Sequence, residues 1–162
     1  MQKNPTLAQL KKEIQTLPAE KIIALITKLG KFNALNKQLI TYELFDAETP
    51  ETYISDLKVE INDALNLIKL DSWYNQKKTF KKFMKTIGNY KKIMANNEME
   101  LQMHLAIATK IYHILTHEKY DINFIIEAQL FKSIALIKKL IDTLHQDLQY
   151  DYLKQYKKLV NH

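Results

Sequence analysis

Helix breakers are almost absent from this chain. Gly30 and Gly88 are its only glycines, and Pro5, Pro18 and Pro50 its only prolines, in 162 residues. Sheet proteins need tight turns every few residues, and Gly, Pro, Asn and Asp supply them. Between the few breakers here, apolar residues recur at steps of three and four, the period of an amphipathic helix, and no run alternates with period two. An all-α fold follows, of about six to eight helices. Short connections favour antiparallel helix pairs, packed as an irregular bundle or as a curved stack. The absence of a repeat period favours the irregular form. The length suits one domain over residues 1–162.

Asn4-Pro5 predicts a first helix, with Asn as N-cap and Pro in the first turn, followed by Leu7, Leu10, Ile14 and Leu17. Pro18 opens a second, whose apolar residues run from Ile22 to Leu29 and which Gly30 should end. A third is expected from about Asn33 to Phe45, then a loop over 46–50. Thr49-Pro50 begins a long helix to about Leu70, with Tyr53, Ile54, Leu57, Ile61, Leu65 and Ile68 in register. The next runs from Trp73 to Ile87, or through Gly88 to Ala95. Asn97 with Glu100 reads as a capping box. The helix it opens, to about Glu118, carries apolar residues in every direction and should be central. Leu130, Ile134, Ile137, Ile141, Leu144 and Leu148 keep heptad spacing, and Leu153, Tyr156 and Leu159 extend an apolar side into a further helix.

Several chemistries are excluded by what is missing. With no Cys there is no disulfide, thiolate metal site or thiol nucleophile, and a chain free of disulfides fits a cytoplasmic location. No apolar leader core follows Met1, and the longest apolar run, Ile22 to Ile26, falls far short of the roughly 20 residues of a membrane span. All 24 basic residues are Lys, and the formal charge is +6. Lys is a point charge on a flexible stem and lacks the planar fork with which Arg reads guanine, so a polyanion would be bound with little sequence discrimination. No glycine-rich phosphate loop or Gly-x-Ser-x-Gly elbow is present. No catalytic, cofactor-binding or metal-ligating residue is assigned.

One surface stands out. Residues 73–97 contain no acidic side chain, and Lys77, Lys78, Lys81, Lys82 and Lys85 fall on one side of a helix. Phe80, Phe83, Met84 and Ile87 fall on the other. The plainer reading is a solvated face in a Lys-rich chain; the sharper one is a site for nucleic acid or another polyanion. His113 and His117 share a helix face and have the spacing to hold one metal, but Ile114 stands where a zinc-hydrolase signature would place Glu. The plainer reading is two ordinary histidines near a helix end. Glu43, Asp46 and Glu48 read as loop solvation, and Trp73 as a packing anchor that also has the chemistry to line a groove. Tyr150, Tyr152 and Tyr156 suit a core edge or a partner interface.

The stretch from Leu10 to Ile26, Lys77-Lys-Thr-Phe-Lys-Lys-Phe and the turn at Tyr120-Asp121-Ile122 follow one another along the chain. This order of segments resembles a family of small, all-helical bacterial proteins of unknown function. It implies a helical bacterial protein and brings no activity or site residue with it. With no recognisable catalytic set, a long apolar C-terminal stripe and Tyr-rich flanks, the expected function is a non-enzymatic helical module that binds an unknown protein partner or itself. The alternative is sequence-independent binding of nucleic acid or another polyanion by the five lysines. An enzyme is the third reading, and a polar pocket containing His113, His117 or Glu43 would favour it.

Overall fold

The computed structural model of the chain describes residues 4–118 and 120–160. Among them are eight α-helices and one π-helical turn, and no strand. The chain forms two compact units, Met1–Phe45 and Asp46–His162.

The first unit holds α1 (Leu7–Gln15), α2 (Ala19–Phe32) and α3 (Ala34–Thr41). Thr6, not Asn4, caps α1: its hydroxyl accepts from the Gln9 amide, and the Gln9 side chain accepts from the Thr6 amide in return. This reciprocal box satisfies two end donors at once, which Asn4 two residues earlier has no geometry to do. Gly30 does not stop α2, which continues two residues further to Phe32. A Cβ at Gly30 would sit 3.4 Å from Ile40 Cδ1 of α3, so the position faces that helix without needing glycine. Asn33 turns the chain and caps α3, accepting from the Asn36 amide at 2.7 Å. The third expected helix is split, with α3 ending at Thr41 and a π-helical turn, Tyr42–Asp46, following it. No residue of α1, α2 or α3 is buried.

The second unit contains α4 (Pro50–Leu70), α5 (Trp73–Met94), α6 (Asn97–His117), α7 (Phe124–Ile141) and α8 (Gln146–Val160). It is a bundle about α6, which packs on each of α4, α5, α7 and α8. That placement explains why α6 is apolar in all directions: Leu101, Met103, Ile107 and Ile111 are wholly buried. From α4 the core takes Ile54, Leu57, Ile61, Leu65 and Ile68. Each such side chain contributes about 1.5–3 kcal/mol through removal from water. Gly88 lies inside α5, which ends at Ala95 in the left-handed region at φ 46°. Asn96, not Asn97, caps α6, accepting from the Glu98 and Met99 amides. Glu100 is thus one position beyond a capping role and is buried beside Lys91.

The C-terminal heptad pattern spans two helices, since α7 ends at Ile141 and α8 starts at Gln146. Leu130, Ile137 and Ile141 are core residues, whereas Leu148 is exposed. The heptad stripe is largely spent within the bundle, chiefly where α7 packs on α6.

Candidate functional site

The five lysines of α5 lie where their spacing puts them. Lys77, Lys78, Lys81, Lys82 and Lys85 are all exposed, while Phe80 and Ile87 on the opposite side are buried and Phe83 and Met84 are half-buried. Among the described residues none of the five pairs with a carboxylate. Among the described residues, Asp71 borders the face, accepting from the Thr79 hydroxyl at 2.9 Å, and so does Glu60 of α4, which shares a shallow recess with Lys82, Thr79 and Thr86. Glu60 is already engaged by the Tyr90 hydroxyl, at 2.8 and 3.0 Å. Burial, and then this carboxylate, push the Tyr90 phenol far above its usual range.

A second site was not legible from the sequence. Helices α4, α6 and α8 enclose a groove of about 590 Å³ lined by ten residues, none of them acidic. Lys58 and Asn62 come from α4, Gln102, Thr109, Lys110 and His113 from α6, and Tyr152 and Gln155 from α8; Leu105 and Ala106 form its apolar floor. Lys58 Nζ donates to the neutral amide oxygen of Gln102 at 2.6 Å, and burial lowers the lysine's pKa. The buried Tyr152 hydroxyl donates to Glu98 at 2.8 Å. Desolvation first, and that carboxylate second, raise its pKa well above the phenolic norm. The one advance sign of these residues was Lys58 beside Leu57, at the margin of an apolar stripe. Its partner Gln102 lies 44 residues away, where no local pattern reaches.

At one end of this groove two lysines and a histidine meet Glu118. Lys69 pairs with it closely, Lys110 lies 3.4 Å away and His113 Nδ1 3.2 Å away. The hydrogen bond from Lys69 is the main reason why the Glu118 carboxyl titrates below its ordinary value. His113 and His117 stack with ring centres 5.0 Å apart. Their nitrogens face Glu118 and the Thr116 hydroxyl, and no group of three metal-ligating side chains assembles among the described residues. His113 lines the groove; His117 does not.

The core also holds a row of polar groups in the order of a hydrolase triad. Ser133 Oγ is 3.4 Å from His104 Nδ1, and His104 Nε2 is 4.0 Å from Glu100. The row does no acyl chemistry as it stands. Ser133 is fully buried in the face of α7, where no substrate reaches it, and 4.0 Å is too long for an orienting hydrogen bond. Ser133 is engaged by His104 and by Gln129, which donates to it, and Glu100 pairs with Lys91 at 2.6 Å instead.

In the first unit, α2 and α3 form an apolar groove of about 620 Å³ walled by Ile23, Ile26, Leu39, Ile40 and Leu44. Glu43 and Lys37 stand on its lining. Ile23 and Leu44 remain 64% and 68% exposed. Trp73 is half-exposed at the start of α5, tilted against Phe124 at 6.3 Å. Tyr150 is exposed and Tyr156 half-buried, so the C-terminal tyrosines share no single face.

No protein-family model, curated protein or solved structure matches the chain.

Proposed function

We propose that this chain is a non-enzymatic interaction module of the bacterial cytoplasm, a member of the helical family it resembles, and that it takes an amphipathic helix of a partner protein into the α2–α3 groove. The observation that carries this reading is the exposure of the first unit: three amphipathic helices without one buried residue, around an apolar groove. Apolar faces of that kind are typical of helix-in-groove recognition, where the partner supplies anchors at helical spacing. The test compares wild type with Ile26→Asp and Leu39→Asp. A partner cross-linked to the wild-type groove and lost in both variants, with helix content by circular dichroism unchanged, supports the reading. A strict monomer at high concentration whose groove residues cross-link to nothing opposes it. A dimer broken by the same substitutions replaces the partner helix with a second copy of the chain.

The exposed lysines of α5, unpaired among the described residues, favour a second reading, binding of nucleic acid or another polyanion without regard to sequence. Five phosphate contacts give a log–log salt slope of about −3.5 to −4.5. Replacing Lys78, Lys81 and Lys82 by Gln flattens that slope if the face binds. Wild-type protein that ignores DNA and RNA at low salt removes the reading.

A further inference from the structure

We infer that the groove between α4, α6 and α8 is a binding site for a small organic oxyanion, a carboxylate or phosphate monoester carrying a compact apolar body, with Lys58 and Lys110 holding the charge. Four observations on the groove point the same way.

The first is size. About 590 Å³ falls within the range of small-molecule sites. The second is charge. Two lysines and one histidine line the groove, and no carboxylate does. Glu118 draws Lys69, Lys110 and His113 to one end, but two lysines against one carboxylate leave that end positive.

The third is the state of Lys58. It is half-buried, pairs with no carboxylate among the described residues, and has a neutral amide as its acceptor. An ammonium has three donors and is costly to desolvate without an opposite charge. An oxyanion in the groove supplies that charge and takes the donors left over. The fourth is the rest of the lining. Asn62, Thr109 and Gln155 add neutral donors around the anion, and Leu105 with Ala106 offers the apolar floor on which a ring or short chain can lie. Few convergent polar groups over an apolar surface is the usual make-up of a ligand site.

This site is independent of the α2–α3 groove and of the α5 lysines, so its test stands apart from theirs. Full-length protein labelled with 15N is titrated with phenyl phosphate, with benzoate and with neutral benzyl alcohol, and amide and side-chain signals are followed by NMR. The expected result is saturable shifts at Gln102, Thr109 and Gln155 with one or both anions, and none with benzyl alcohol. Preference for phenyl phosphate identifies a phosphate site, preference for benzoate a carboxylate site. Lys58→Met weakens binding about tenfold, the scale of one charge-assisted hydrogen bond. Gln155→Ala, at an exposed position that the fold does not need, weakens it less and serves if Lys58→Met unfolds. The variant lacking Lys78, Lys81 and Lys82 binds as wild type. No saturation by either anion, equal shifts with benzyl alcohol, shifts confined to the α5 lysines, or unchanged affinity in both groove variants would each overturn the assignment.

Discussion

Gln76 and Asn123 are buried polar side chains joined across two turns. The Asn123 amide donates to Gln76 Oε1 at 2.8 Å, and Gln76 Nε2 donates to the Asp121 carbonyl at 2.9 Å. Asn123 Nδ2 reaches the Trp73 carbonyl, while its own oxygen caps α7. The turn before α5 is thereby pinned to the turn before α7. Gln76→Leu leaves an amide and a carbonyl unpaired in the interior and is expected to cost about 2–3 kcal/mol, read by urea unfolding. A loss under about 0.5 kcal/mol would mean that water replaces the side chain. His104 makes a prediction in pH. Burial holds its pKa below the ordinary 6.5, with Glu100 opposing and Lys91 reinforcing. The unfolded chain therefore binds the proton first, so stability is full above about pH 6.5 and falls as pH drops through that value toward the folded pKa. His104→Gln should flatten this part of the profile between about pH 7.5 and 5.5, measured by denaturant titration at each pH.

At the scale of the helix, α5 carries its glycine in the wrong place for stability. A Cβ added at Gly88 meets nothing within 4 Å, and the position is mid-helix. Gly88→Ala is expected to stabilise by about 0.5–1 kcal/mol. Seven residues on, Ala95 takes the left-handed conformation that glycine adopts without strain. Ala95→Gly should therefore be neutral or stabilising, although Ala→Gly inside a helix destabilises. Chemical denaturation of both variants checks the pair, and a loss of stability in Gly88→Ala would show that space beside the helix is needed. The same element shows how far spacing reaches: it placed Lys77, Lys78, Lys81, Lys82 and Lys85 on one exposed face and Phe80 and Ile87 in the core. It left open whether Gly88 stops the helix, because propensity is weak beside the packing of Ile87, Ile93 and Met94.

At the scale of the molecule, the two units differ in how much they bury. Residues 46–162 hold a core around α6, whereas α1, α2 and α3 bury nothing. A fragment of residues 46–162 is expected to unfold cooperatively with a helical circular dichroism spectrum. A fragment of residues 1–45 should show little helix by itself, since short helices in water need tertiary burial. A fragment of 46–162 that melts without a transition would show that its core is incomplete alone.

Helix positions and inward faces were readable in the order of residues because both depend on neighbours three and four apart. Of the stripe Tyr53, Ile54, Leu57, Ile61, Leu65 and Ile68, all but the half-buried Tyr53 are buried, and the central place of α6 followed from its lack of a polar side. Helix ends shifted by one or two residues at Thr6 and Asn96, where several capping residues compete and only backbone geometry chooses. The Gln76–Asn123 pin and the groove of Lys58, Lys110 and Tyr152 belong to the tertiary structure alone. Their members are ordinary residues on separate helices, and the chemistry arises only when packing removes water and brings them together.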